Sequence, residues 1–459
     1  MKKGYITIYF AMIFMVLVSF VLSIFEGIKI NAMRLKAECA YMVAQNAVLS
    51  EYHKELLEEF DLFYVDTSYK TGNPNYHNVE SHLWEYIEEN CKRMLSSVQI
   101  CRITMATDNN GVPFRKQISD FMKDKVGMSY VEELKSQYER VLKEGYLNEE
   151  GESQDIWDEK WQKTMAQKQD IPEKTWKEID KYCPVSETKN IRKSFVLSQV
   201  IKKGVEVSKK QVNLNNYVSK RSRIEGTGTN DELTFMDKIY FIGYAFDKFS
   251  YYPKMSETNS MDYEIEYLIG GKNNDYENLS KVAGKLLLLR EASNAAYLMT
   301  DTEKMFLIDG VAGLLSLLVL APEIAPVIKL SIIGLWSYAE SVRDVEILFE
   351  GGCVPFFKSK SHWHTDLDSG LSVIFHTKES EKNTEGMSYK QYLELLLLFT
   401  GNDELTYRSM DLIEMHIQKT EGNENFRMDG CAEDFQVNIV FDISMFGSYQ
   451  IVRKFGYFY

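Results

Sequence analysis

Tyr5 to Phe25, YITIYFAMIFMVLVSFVLSIF, is the stretch that decides the architecture of this chain. No charged residue, glycine or proline interrupts it. As an α-helix rising about 1.5 Å per residue, it would be roughly 31 Å long, which matches one hydrocarbon core. The stretch therefore predicts a transmembrane helix whose large side chains against lipid include Tyr5, Phe10, Phe14, Phe20 and Phe25.

The main alternative to a membrane anchor is a cleaved signal peptide. Secretory signals have an apolar core of about 7–15 residues and end in a small-residue cleavage site. Here the apolar run is longer and is followed directly by Glu26 and Gly27. We therefore predict that residues 1–25 form a short tail and an uncleaved transmembrane anchor.

The helical pattern continues beyond the apolar stretch. Residues 26–66 contain one early glycine, Gly27, and no proline. Apolar residues recur there at helical spacing, from Ile28 through Leu35 to Phe60. The pattern predicts an extended amphipathic helix over residues 26–66, with one helix running from the membrane to about Phe60.

The order of a basic tail ending in glycine, an apolar helix and an amphipathic continuation is how type IV pilin-like proteins begin. Lys2 to Thr7, KKGYIT, followed by the apolar run, resembles the start of the TadE/TadG-type proteins of Tad (Flp) pilus systems. The later segment SEYHKELLEEFDLFYVD is similar to a family of uncharacterised Gram-positive membrane proteins encoded near such systems. That similarity continues in YEIEYLIGGKNNDYENL (263–279), LLLLREASNAAYL (286–298), LWSYAESVRDVEILFEGGCVPFFKS (335–359), MSYKQYLELLLL (387–398) and RSMDLIEMHI (408–417).

The resemblance implies a location and a set of partners. It implies a cell-membrane protein that crosses the bilayer once, with the N-terminus in the cytoplasm and the large domain outside. The charges flanking the apolar stretch are nearly balanced, so they add little to this orientation. The implied partners are the lipid bilayer and other membrane proteins or pilins of a Tad pilus system.

The possible processing site lies between Gly4 and Tyr5. Pilins cut by prepilin peptidase often carry a glutamate five residues after the cut, and this chain has Tyr9 at that position. The missing carboxylate favours a permanently anchored, TadG-like component over a processed fibre subunit.

The overall charge excludes one class of partner. The 459 residues include 53 lysines and arginines and 67 aspartates and glutamates, a net charge of −14. Nucleic-acid binding needs a dense cationic surface, so we predict no nucleic-acid partner. Residues 1–25 carry only Lys2 and Lys3, so the acidic excess belongs to the part after the anchor.

The part after residue 66 is predicted to be exterior and helix-rich. We place one region at 67–223 and an α+β region at 224–459, with residues 219–231, SKRSRIEGTGTND, as a linker between them. The basic residues of this linker are interpreted as a solvated loop. Residues 306–338 are apolar but interrupted by Pro322, Glu323, Pro326 and Lys329, which predicts a buried helical hairpin rather than a second membrane span. A hairpin that is associated with the membrane or faces a partner is the alternative.

The chain ends with alternating apolar and polar residues. In FQVNIVFDISMFGSYQIVRKFGYFY (435–459), Val437, Ile439, Phe441 and Ile443 fall on one face, which predicts a C-terminal β-hairpin. The fold class is therefore α+β, helix-dominated, with antiparallel strands.

The sequence offers little recognisable chemistry. It contains no G-x-S-x-G, P-loop, H-E-x-x-H or C-x-x-C motif, so we predict neither enzymatic activity nor a cofactor. The weak metal candidates are His362, His364, Asp366 and Asp368, whose donors stand close together in sequence, but a polar turn explains them more simply.

Two further patterns have ordinary structural explanations. Glu340, Arg343 and Asp344 stand at helical spacing and predict a salt-bridged helix face. Trp157 and Trp161 stand four residues apart and predict helix packing. The six cysteines allow up to three disulfides, and no pairing is predicted.

The leading functional hypothesis is a non-enzymatic, membrane-anchored surface component of a Tad-type pilus or related secretion apparatus. It would act in assembly or surface binding, in a TadG-like or minor-pilin-like position. A membrane-tethered cell-wall-modifying enzyme and an extracellular sensor stay open as alternatives.

Overall fold

The structure is a computed structural model of the chain. It describes residues 3–92, 94–144, 156–167, 171–193, 197–202, 204–228, 231–255, 258–367, 375–377, 385–444 and 448–457.

Most of the described residues are helical, and the strands are antiparallel, as predicted. The helices are α1 (Lys3–Leu49), α2 (Lys54–Phe60), α3 (Tyr76–Cys91), α4 (Asp108–Lys125), α5 (Met128–Lys143), α6 (Ile156–Ala166), α7 (Glu173–Ile179), α8 (Thr188–Lys193), α9 (Phe235–Lys248), α10 (Glu264–Gly270), α11 (Asp275–Thr300), α12 (Thr302–Leu318), α13 (Ala325–Phe349), α14 (Tyr389–Phe399) and α15 (Asn402–Ile417). The strands are β1 (Val65–Asp66), β2 (Leu95–Met105), β3 (Cys353–Val354), β4 (Thr365–Leu367), β5 (Phe375–Thr377), β6 (Met387–Ser388), β7 (Cys431–Ser444) and β8 (Ser448–Tyr457).

The chain forms two compact units, both discontinuous in sequence. Unit 1 comprises Met1–Ile118, Asn216–Leu233 and Met410–Tyr459, and unit 2 comprises Ser119–Asn215 and Thr234–Ser409. The predicted boundaries were consecutive, at residues 66 and 223. The chain returns to unit 1 because its last strands pair with strands from the first hundred or so residues.

The sheet of unit 1 has the order β1-β7-β2, and β8 pairs with the same strand β7. The β7–β8 pair is the predicted C-terminal hairpin, with Phe435 opposite Tyr457. Val437, Ile439 and Phe441 are buried, which confirms the alternation; the side chain of Ile443 lies outside the described residues. This alternation gives the sheet one apolar face against the core of unit 1.

The first helix ends earlier than predicted. α1 ends at Leu49. The short α2 follows, flanked by Tyr52 and Val65, which form a β-bridge with each other. The prediction of a single helix to Phe60 was therefore wrong. His53 begins α2: its Nδ1 accepts a hydrogen bond from Leu56 N at 3.3 Å. Such a cap lets the chain start a second helix.

The predicted linker is also structured. In residues 219–228, Gly226 N donates to Asp108 Oδ1 at 2.6 Å, and Thr227 N donates to the carbonyl of Ile103 at 2.8 Å. A Cβ at Gly226 would lie 2.5 Å from that carbonyl, so only glycine fits this close approach. The solvated-loop interpretation was wrong for Arg221, whereas Lys220 and Arg223 are exposed.

The core of unit 2 surrounds α13. Trp157 and Trp161 stack with ring centroids 4.9 Å apart, and Trp157 Nε1 donates to the carbonyl of Leu330 at 2.6 Å, which confirms the predicted packing role. Most of α13 is buried. The hairpin of α12 and α13 forms as predicted.

The hairpin is less buried than predicted, however. On the outer face of α12 and at the turn that follows it, Phe306, Leu314, Leu317 and Leu320 are exposed. The prediction of a buried hairpin is therefore correct for α13 and wrong for this outer face.

Candidate functional site: a membrane anchor and a buried ionic cluster

The first part of α1 is the one described helix that is long and apolar enough to cross a membrane. The predicted lipid-facing residues all lie on it, and each is 63–77% exposed. Exposed aromatic and aliphatic side chains over this length are costly in water, because each loses the free energy of burial. The predicted lipid-facing residues are Tyr5, Phe10, Phe14, Phe20 and Phe25.

The second part of the same helix belongs to the core of unit 1. Ala37, Ala40, Tyr41, Ala44 and Val48 are buried in one cluster with the apolar face of the sheet. Small alanines at three of these positions let the helix approach its neighbours closely. The apolar segment and the folded unit 1 are thus joined by uninterrupted helix.

The candidate processing site lies at the start of this helix. Gly4 and Tyr5 are both helical, and Tyr9, at the position of the glutamate of processed pilins, is exposed.

Unit 2 contains a cluster of buried charges contributed by three segments. Arg290 comes from α11, Glu340 and Asp344 come from α13, and Lys358 comes from the chain after β3. The side chains of all four are fully buried. Burying charge costs several kcal/mol per ion unless it is paired and hydrogen-bonded, so the pairing decides whether the cluster is tolerable.

The four charges form one connected set of ion pairs, in which Asp344 contacts both cations and Lys358 contacts both anions. Arg290 Nε donates to Asp344 Oδ2 at 3.1 Å, and the Lys358 ammonium lies 2.6 Å from Asp344 Oδ1 and also binds Glu340. Two cations and two anions make the four side chains neutral as a set. The remaining Arg290 donors reach the carbonyl of Phe356 at 2.8 Å and the hydroxyl of Tyr392 at 3.1 Å.

Glu340 accepts the largest share of the hydrogen bonds. His364 N donates to Oε1 at 2.9 Å, while Thr365 donates to Oε2 from its N at 2.9 Å and from its hydroxyl at 2.7 Å. Burial alone would raise the pKa of this carboxyl, but the hydrogen bonds from His364 and Thr365 and the charge of Lys358 outweigh it and lower the pKa to about 2. Glu340 is therefore ionised at neutral pH.

This arrangement bears on metal binding. Glu340, Asp344 and His364 bring donor atoms within 4.8 Å of one another, close enough to hold an ion. The Lys358 ammonium already occupies the position between the two carboxylates. A divalent ion would have to displace a buried cation, so the donor set fits an internal ion pair better than a metal.

The three metal candidates that the structure describes, His362, His364 and Asp366, do not form one cluster. His364 joins the buried cluster, whereas His362 lies in a 3-10 turn with its Nε2 3.3 Å from Glu385. Asp366 is exposed on β4, and Asp368 lies outside the described residues. Both imidazoles precede β4, which begins at Thr365.

The sequence did not predict the two cations of the buried cluster, Arg290 and Lys358. It also assigned the two acids, Glu340 and Asp344, to the wrong partner. Arg343 pairs with Glu346 at 2.5 Å, so the predicted salt-bridged face of Glu340, Arg343 and Asp344 was wrong. The available signal was Arg290, which with Glu291 interrupts the otherwise uncharged run LLLLREASNAA. A charge in such a run predicts a buried partner.

Unit 1 has an ionic cluster of its own, centred on Arg221 in the segment that was predicted to be a linker. Arg221 donates to Glu414 Oε2 at 2.9 Å and also binds Asp429. Burial raises the pKa of Glu414 to about 7, although the charge and hydrogen bonds of Arg221 oppose the rise. The cluster ties the segment Asn216–Leu233 to the last segment of unit 1, Met410–Tyr459.

These features define a class: a helix-dominated α+β protein with an N-terminal helix able to span a membrane. Each of its two units contains a cluster of buried, mutually paired charges. The chain belongs to a family of unknown function (DUF5702), whose model matches residues 174–443. The matched range includes the whole buried cluster of unit 2. No curated protein and no solved structure matches the chain.

Proposed function

We propose that this chain is a non-enzymatic, membrane-anchored surface component of a Tad (Flp)-type pilus or related secretion apparatus, in a TadG-like or minor-pilin-like position. One observation carries the proposal: α1 joins an exposed apolar segment of membrane-spanning length to a segment built into unit 1. A single helix of this kind holds a folded domain directly at the bilayer surface. The resemblance of the N-terminal residues to TadE/TadG-type proteins supplies the system.

The ionic clusters support a structural rather than a catalytic role. An active site needs titratable groups that substrate can reach. Arg290, Glu340, Asp344 and Lys358 are enclosed and mutually paired. They hold three segments of unit 2 together and leave no face for a substrate.

The proposed topology places the N-terminus in the cytoplasm and both units outside the cell. Tags at Lys2 and after Tyr459 test it with an external protease on intact cells. The C-terminal tag is expected to be digested and the N-terminal tag to be protected. The reverse pattern contradicts the proposed orientation.

The anchor is proposed to be permanent, because Tyr9 replaces the glutamate typical of processed pilins. Mass spectrometry of the N-terminus of the membrane-extracted protein tests this. We expect a chain that retains Lys3 and Gly4. A mature chain that starts at Tyr5 contradicts permanent anchoring.

The functional test compares a deletion strain with two complemented strains. The deletion is expected to lose surface pili, the full chain to restore them, and residues 28–459 behind a cleavable signal to fail because the anchor is missing. The full chain should also co-purify with Tad membrane components after mild detergent extraction. Normal pili in the deletion strain, with no Tad component co-purifying, overturn the proposal.

A further inference from the structure

The exterior half of α1 carries a second apolar face that unit 1 leaves exposed. Ile28, Leu35 and Met42 are each about 60% exposed and stand seven residues apart. The buried face of the same segment, which includes Ala37 and Ala44, lies on the other side of the helix. The segment is therefore apolar on two opposite sides, and the fold of the chain covers one of them.

The exposed face has the spacing of a coiled-coil seam. Ala32, Cys39 and Asn46 are also exposed and also stand seven residues apart. Along the helix the two sets alternate, as Ile28, Ala32, Leu35, Cys39, Met42 and Asn46. The successive steps are four, three, four, three and four residues. Alternating steps of three and four are the a and d positions of a heptad, with Ala32, Cys39 and Asn46 at a.

The heptad continues into the predicted membrane span. Phe14, Val18, Val21 and Phe25 fall on the same a and d positions and are exposed. A seam that crosses from lipid into the exterior segment without a change of phase favours a partner helix that runs alongside α1 through both environments.

We propose that this face, from Ile28 to Asn46, is the interface of a parallel two-stranded coiled coil between two copies of this chain. The proposal rests on the membrane anchoring in the proposed function, because two copies inserted in one bilayer by the same helix are parallel and in register. Each a and d residue then meets its own counterpart at the same depth.

The polar residue of the seam supports two strands. Asn46 is the one polar residue at the a and d positions between Ile28 and Asn46. A single asparagine at an a position specifies register and a two-stranded parallel state.

The flanking positions are compatible with a second copy. In a parallel pair, a g residue faces the e residue five positions later on the other helix. Asn31 faces Lys36 and Glu38 faces Val43, so no like charges meet. The exterior seam is under three heptads long, and the shared membrane anchor compensates by raising the effective concentration of the partner.

Thiol cross-linking in membranes tests the proposal, with two copies that carry different tags and Cys101→Ser to remove the other exposed thiol. Diamide, an azo-dicarboxamide oxidant, takes two electrons and two protons from two Cys39 thiols as the disulfide forms. We expect a product that carries both tags, and none from the Cys39→Ser chain.

A pair of adjacent exposed positions provides the matched control. In the Cys39→Ser, Cys101→Ser chain, Leu35→Cys at d is expected to restore cross-linking. Arg34→Cys, on the side away from the seam, should yield roughly tenfold less product, since its thiols are held apart. Neither side chain is in the core, so both variants are expected to fold.

The outcomes separate this proposal from the proposed function. Equal yields for Leu35→Cys and Arg34→Cys, or a Cys39 product that joins one tagged copy to a different polypeptide, overturn the two-copy interface. Flotation of the same membranes reports anchoring independently: a chain that floats without the double-tagged product overturns the dimer alone. A chain that stays soluble overturns the anchor as well.

Discussion

Lys358 Nζ lies 2.6 Å from Asp344 Oδ1 and also pairs with Glu340, so a lysine ammonium fills the space between two buried carboxylates of α13. The three side chains are fully buried. In this position the lysine stabilises both anions and closes the site to other cations. The stability of unit 2 should therefore depend on this one charge.

Lys358→Met is expected to destabilise unit 2 by about 3 to 5 kcal/mol, because it leaves buried negative charge without its partner. Urea unfolding of the detergent-solubilised chain, followed by tryptophan fluorescence, measures the change. Lys360→Met is the matched control: Lys360 pairs with Glu303 at the exposed surface, where solvent screens the pair and it contributes little to stability. Equal losses for the two variants would contradict the structural role of Lys358.

The same contacts predict an acid limit for unit 2. The folded pKa of Glu340 is lowered from 4.5 to about 2, so the folded state favours the ionised form. The stabilisation is fully present above pH 4.5 and is lost as the pH falls towards 2. Glu340→Gln should flatten the pH dependence of unfolding in that window, although its overall stability falls.

Glu266 is expected to show the opposite dependence. It is fully buried and accepts hydrogen bonds from Tyr252 N at 3.0 Å and from the Tyr389 hydroxyl at 2.7 Å. Burial, opposed by these hydrogen bonds, raises its pKa from 4.5 to about 7. The folded state then holds the proton more tightly, so stability is greatest below pH 4.5 and falls as the pH rises through 7.

Glu266→Gln keeps an acceptor for both hydrogen bonds and removes the titration. We expect the variant to gain stability relative to the parent as the pH rises from 4.5 to 8, by an amount of order 3 kcal/mol. Unfolding free energies at several pH values measure it, with Glu277→Gln at an exposed position of α11 as the control. A parallel pH profile for parent and variant would exclude a buried, titrating Glu266.

Arg221→Ala should destabilise unit 1 by about 3 to 5 kcal/mol, because Glu414 loses its buried cation and Asp429 keeps only Arg427. Chemical unfolding measures the effect, and Arg223→Ala, two residues away and exposed, is the control. A small effect at both positions would restore the interpretation of residues 219–231 as a solvated loop.

Two helical glycines are expected to respond oppositely to alanine. A Cβ at Gly334 of α13 would lie 2.7 Å from the Trp157 ring, so Gly334→Ala should cost about 1 to 3 kcal/mol through overpacking. At Gly284 of α11 nothing lies within 4 Å, so Gly284→Ala should stabilise the helix by up to about 1 kcal/mol. Thermal unfolding of both variants checks the two signs together.

Several elements followed from local pattern. The apolar run from Tyr5 to Phe25 predicted the membrane-length helix, and the alternation around Ile439 predicted the C-terminal hairpin. Periodicity is a property of neighbouring residues, so it survives in a sequence without knowledge of the fold. The helix end at Leu49 was missed because the bridge from Tyr52 to Val65 depends on a turn that no periodicity records.

The membrane-length helix, the α+β class and the acidic excess of the part after residue 25 were determined by the sequence itself, since they depend on composition and local spacing. Only the tertiary structure decided that Arg221 belongs to a core and that Lys358 lies between Glu340 and Asp344. The partners of Arg221 are about two hundred residues away, and those of Lys358 lie on a different segment. A buried charge is tolerated only where folding brings its counter-charge within contact, and that pairing is set by three-dimensional packing.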